Sequence, residues 1–157
     1  MSEILTALST WLHALATVIF IGYFALLALI FLPAMKDKPD IEAGVVLAAY
    51  SKQSRLWMYA ALLIFTITGI HLTVVDANYL GIGDFGNLWS ILMLVKHILI
   101  VGMMVAGFWF NVMLRVGSML SSKTGFPQAF NRFRFYVNGM AVSGSLILLL
   151  TALSQVR

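Results

Sequence analysis

The sequence has no cysteine in 157 residues. That absence excludes disulfides, thiolate-held zinc, cysteine-anchored iron–sulfur clusters and covalently attached c-type haem. Charge is scarce as well. Asp, Glu, Lys and Arg make up 10% of the chain, against about 25% in ordinary soluble domains. Basic residues are missing from the first 35 positions and from the stretch DANYLGIGDFGN, residues 76–87. Histidine occurs three times, and each copy stands in a different apolar segment.

What the chain has is apolar surface. Hydrophobic residues form 61% of it, and its mean hydropathy is +0.96. A soluble domain of this length could not bury so much, so the class is integral membrane, in one domain. About 20 apolar residues cross a bilayer as helix. Four stretches meet that length, and the spans are expected at about 5–32, 56–75, 88–114 and 136–153. Pro33 and the polar run KDKPD are expected to end the first. Residues 36–55 read as a mixed loop. Its middle, IEAGVVLAAY, is either an interfacial helix or an early extension of the second helix. Residues 76–87 are a loop rich in turn formers, and SSKTGFPQAFNRFRF is a polar, basic one. The start, MSEILTALSTWLH, lacks the positive opening of a signal peptide, so the first segment is expected to be a retained transmembrane helix.

Eight of the ten Lys and Arg residues flank the first and third loops. By the positive-inside rule that side is cytoplasmic, and both termini face outward. The expected architecture is an all-α, four-helix antiparallel transmembrane bundle, N-out and C-out, in a bacterial inner or plasma membrane. The net charge of +4 is therefore a topology signal, and no nucleic acid is expected as a partner. Trp11, Tyr79 and Trp89 should form the outer aromatic belt, and Trp57, Tyr59 and Tyr136 the inner one. Trp109 should pack inside the bundle. Gly102, Ala106 and Gly107 in the third span, with Gly139, Ser143 and Gly144 in the fourth, should let helices approach closely.

An ionisable residue inside the membrane is costly, which makes it a functional-site candidate. His13, His71 and His97 all fall in the outer half, spread over roughly 6 Å of depth at the helical rise. Lys96 is a fourth candidate. Adjacent helical residues point about 100° apart, so Lys96 and His97 cannot both face one pocket squarely. Lys96 either snorkels outward or meets an anion such as a propionate.

Imidazoles on separate helices suit haem b, which needs axial ligands, apolar walls and partners for its propionates. Two of the three could be axial, and the third could hydrogen-bond a propionate or a quinol. His13 pairs with either His97 or His71 on this reading. Copper or zinc is the alternative, since three histidines and a water make a reasonable metal site. The methionines near His97 suit copper(I), although methionine in an apolar helix is more often packing. The remaining explanation is a structural subunit without cofactor, whose histidines donate to oxygens of neighbouring helices. On the haem reading the chain moves electrons near the outer face as a subunit of a respiratory complex, with quinol or other redox subunits as partners in a homo- or hetero-oligomer.

Three segments resemble the copper resistance protein D superfamily. These are WLHALATVIFIGYFALLALIFLP, then SRLWMYAALLIFTITGIHL with an early Arg and a late Thr-Gly, then LWSILMLVKHILIVGMMVAGFWFNVMLR with its lysine. The related membrane-bound protoporphyrinogen oxidase family shares the first-helix histidine and the lysine and is associated with haem b. The resemblance covers about the first 115 residues. It implies that His13 and Lys96 are functional. His71 and His97 lie outside its pattern.

Overall fold

The structure, a computed structural model, describes residues 2–35, 40–115 and 126–155. The first helix, α1, starts at Ser2. It runs as α-helix over Ser2–Leu26, widens to a π-helical turn over Leu27–Phe31, and resumes over Leu32–Met35. Pro33 was expected to end this helix and does not. A proline removes its own N–H and crowds the carbonyl four residues back. The π turn widens the helix just before that point, with the Leu32 N–H reaching Leu27 O. The proline is thus carried inside the helix.

The second helix, α2, spans Asp40–Val75. The extension alternative therefore holds for residues 40–55, and they are not a loop. At 1.5 Å per residue this helix is about 54 Å long, well beyond a hydrocarbon core of about 30 Å. Its apolar part is Lys52–Val75. The third helix, α3, spans Leu88–Arg115, and the fourth, α4, spans Phe126–Gln155. The basic loop was expected to last to residue 135, but residues 126–135 are the first turns of α4. Pro127 is tolerated there because the first turn needs no N–H from it.

Between α2 and α3 the chain turns through Gly81 (φ 117°) and Gly83 (φ 87°). The Asn87 side chain then accepts the Ser90 N–H at 2.7 Å, an N-cap for α3.

All four helices are long and apolar enough to cross a membrane. Together they form an all-helical, multi-pass bundle with no strand among the described residues. Four successive crossings put both termini at one end, called here the terminal end, and residues 52–55 and 130–134 at the other, the basic end. The outer surface is apolar: Ile98, Val101 and Val105 of α3 are all more than half exposed. That pattern fits lipid as the solvent.

Helix α1 is the hub. It packs most extensively on α2 and also on α4, which in turn carries α3. The interior holds three clusters. Leu27, Leu32, Phe133 and Val137 fill the basic end, Phe24, Met103, Met140 and Ile147 the middle. Ala16, Ala61 and Phe65 join α1 to α2, with Ile100 and Met104 reaching in from α3. The tightest of the described glycine contacts is at Gly144, where an added Cβ would meet Ile21 Cγ2 at 2.8 Å. The expected small-residue contact is thus real at Gly144, but its partner is α1. Gly102 and Gly139 have nothing within 4 Å of an added Cβ.

Two aromatic expectations fail. Trp89 is buried, at 4% exposure, while Trp109 is 66% exposed and faces outward. Helix phase explains both. Trp89 belongs to the inward stripe of α3, which continues through Met93, Lys96, Ile100, Met103 and Gly107 at alternating spacings of four and three. Trp109 is off that stripe.

Candidate functional site

His13 lies on the inner face of α1 against α2. Its Nδ1 is 2.9 Å from Thr68 Oγ1. The Thr68 hydroxyl is itself 2.6 Å from Ile64 O, one turn earlier on its helix. A hydroxyl has one proton, and that short contact uses it. Thr68 Oγ1 therefore accepts from His13, and the proton of the neutral imidazole sits on Nδ1. The lone pair is left on Nε2. Outer partners of this kind set the tautomer and aim of a ligating histidine.

Two further contacts fix the ring. It stacks on Phe65 with centroids 4.4 Å apart and planes 23° from parallel. Gly69 gives it room: a Cβ there would stand 3.2 Å from His13 Cε1. The late Thr-Gly of the second segment thus meets the histidine of the first. Phe65 was not singled out from sequence, and Thr68 only as part of the Thr-Gly in the family resemblance. The further signal was spacing, since Ala61, Phe65, Thr68 and Leu72 form one stripe on α2.

On α3 the phase separates Lys96 from His97. Lys96 is half-buried on the bundle-facing stripe, and His97 is exposed on the neighbouring face. Both are within electrostatic reach of the His13 imidazole, Lys96 more strongly. Their depths agree. Thr68, level with His13, is about 10 Å from the end of α2, and Lys96 about 12 Å from the start of α3, at 1.5 Å per residue. None of the four expected spans contains an Asp or Glu. The Lys96 ammonium therefore has no counter-anion at its depth from the spans themselves.

His97 Nδ1 lies 2.6 Å from Met93 O of its own helix, which again leaves Nε2 as the free nitrogen. His71 differs. It is half-buried, about 6 Å from the end of α2, and its buried Nδ1 has no hydrogen-bond partner. An imidazole in that state is best accommodated with Nδ1 unprotonated, as an open acceptor or ligand atom.

Among the described residues no three His, Asp or Glu side chains gather as a metal-ion site would require. The structure brings His13 and Lys96 towards one interior region and sets His97 at its edge. His71 stands nearer the terminal end.

Comparisons of the chain with protein-family models, with curated proteins and with solved structures find no match. The fold and its apolar exterior define a multi-pass membrane protein, and the site must be read from its own chemistry.

Proposed function

We propose that this protein is a b-type haem-binding integral membrane protein that moves electrons near the terminal end of the bundle, taken as the outer face. One observation carries the reading: the His13 tautomer is held by Thr68 so that Nε2 keeps its lone pair, at the depth of an intramembrane lysine without a counter-anion. The donor set fits haem b. His13 would ligate the haem iron through Nε2, and Lys96 would pair with a propionate. His97, with its Nε2 free but on the exposed face, or His71, with its buried and unpaired Nδ1, would be the second ligand, and the other would be a hydrogen-bonding partner. When bound, haem b would supply one-electron redox chemistry.

The chain's own groups do the rest. Thr68 and Phe65 hold the imidazole plane, and the apolar stripes of α1, α2 and α3 exclude water. Lys96 holds a negative group in a medium of low dielectric, where the attraction is strong. The resemblance to the copper resistance protein D superfamily and the membrane-bound protoporphyrinogen oxidases agrees with His13 and Lys96 as the pair. Quinol or other redox subunits would be the electron partners, in a bacterial inner membrane with the basic end in the cytoplasm.

A second reading rests on the same hydrogen bond. His13, bonded to Thr68 and stacked on Phe65, also ties α1 to α2, as a purely structural histidine would. One spectrum separates the two. Protein produced with ample haem and reduced with dithionite should show the sharp α-band of haem b. His13→Ala should abolish or convert that band, and Lys96→Gln should retain it with a shifted potential. A colourless preparation would refute the haem reading, and metal analysis would then separate a copper site from the structural role.

A further inference from the structure

A second site lies at the basic end, away from the histidines. A cavity of about 80 Å³ opens there between α1, α2, α3 and α4. It is about half the size of an engineered apolar cavity that admits benzene, but it is not closed. Tyr59 and Phe108 line it and are both exposed, so it communicates with the lipid between α2 and α3. Its walls are Phe20, Phe24, Met58 and Leu62 with two methionines of α3.

The polar groups are gathered at one end of this space. Ser54, Arg55, Tyr23 and Tyr136 line it there. Ser54 Oγ is 2.8 Å from Tyr50 O and 3.1 Å from the Tyr23 hydroxyl, so Ser54 and Tyr23 are joined at this rim. Arg55 is half-buried, and among the described residues that line the cavity it is the one that carries charge. From Ser54 to Leu62 the lining descends about 12 Å along α2. Position 55 is only three residues inside the apolar span Lys52–Val75. A guanidinium is thus held at the level of lipid headgroups, above an apolar shaft with a side exit into the acyl chains.

We propose that this cavity binds an anionic amphiphile, with its carboxylate or phosphate on Arg55 and its chain directed down the shaft and out past Tyr59 and Phe108. The guanidinium offers a paired set of donors that match either anion, while the aromatic and methionine walls take a flexible chain. The site is independent of the haem reading, because it shares no residue with the His13 region.

The test uses the full chain in nanodiscs of phosphatidylcholine, which carries no net charge. Binding of radiolabelled oleate, oleyl phosphate and oleyl alcohol is measured by scintillation proximity, with empty nanodiscs subtracted. Saturable binding of the acids, with the alcohol at least about tenfold weaker, is expected from one charge-assisted contact. The tighter of the two acids identifies the head group. Arg55→Gln should weaken acid binding about tenfold, and Arg55→Lys, which keeps the charge but not the paired donors, should recover only part of it. Gly107→Leu should abolish binding of all three by filling the shaft. Each variant is first shown to unfold at the wild-type temperature. Equal binding of alcohol and acid, indifference to Arg55→Gln, or the absence of saturable binding would each overturn the proposal.

Discussion

Thr68→Val is the sharpest single perturbation of the His13 region. It keeps the branched shape and removes the hydroxyl that accepts the imidazole proton. In the wild type that oxygen is 2.9 Å from Nδ1, and its own proton is used on Ile64 O at 2.6 Å. Hydrogen bonds between membrane helices contribute on average about 0.6 kcal/mol and at most about 1.7. Leaving the Nδ1–H unpaired would add a desolvation cost of about 1–3 kcal/mol. The imidazole avoids most of that cost by moving its proton to Nε2. The expected destabilisation is therefore about 1 kcal/mol, near the lower of these figures. It comes with a change of tautomer. Unfolding in a graded mixture of mild detergent and dodecyl sulfate measures the first. The ¹⁵N shifts of labelled His13 in lipid report the second. Wild type should show the Nδ1–H form, and Thr68→Ser should keep it. Thr68→Val should show a substantial Nε2–H fraction, and any haem held through Nε2 should weaken with it. If Thr68→Val matches Thr68→Ser in both stability and nitrogen shifts, the argument that Thr68 sets this tautomer is wrong.

Gly144→Ala should cost about 1–3 kcal/mol through overpacking, because the new methyl would stand 2.8 Å from Ile21 Cγ2. Ile21→Ala in the same chain should return part of that loss, and a simple sum of the two single effects in the same unfolding assay would deny the contact. Asn87→Ala removes the cap on Ser90 N–H and should destabilise the bundle by about 1 kcal/mol. Asn87→Ser should lose little, and hydrogen exchange should rise first at the start of α3.

The four spans and their apolar exterior were legible because membrane burial needs only length and hydropathy, which are local properties. Span ends were less legible. Pro33 looks like a stop, but a π turn lets the helix carry it. Residues 126–135 look like a loop by polarity, yet they are the first turns of α4. For residues 40–55 polarity left both an interfacial helix and an extension of α2 open, and the structure shows the extension. For the histidines, the residue types and their approximate depth could be read, while their inequality could not. The one hundred degrees between neighbours warned that Lys96 and His97 point apart, but hydropathy does not say which faces the bundle. The inward stripe of α3 decides for Lys96. The basic-end cavity had no sequence signal, since Tyr23, Arg55 and Tyr136 come from three helices and each alone looks like an interfacial residue.

By itself, then, the sequence determined a four-helix membrane protein with costly imidazoles and a lysine in its apolar spans. Only the tertiary structure decided helix phase and neighbours: His13 on Thr68 and Phe65, Lys96 inward, His97 outward, and Arg55 at the rim of a shaft. The physical reason is that partitioning into a bilayer is a sum over residues along one segment. A hydrogen bond, a stacked ring or a cavity exists only when particular faces of different helices meet.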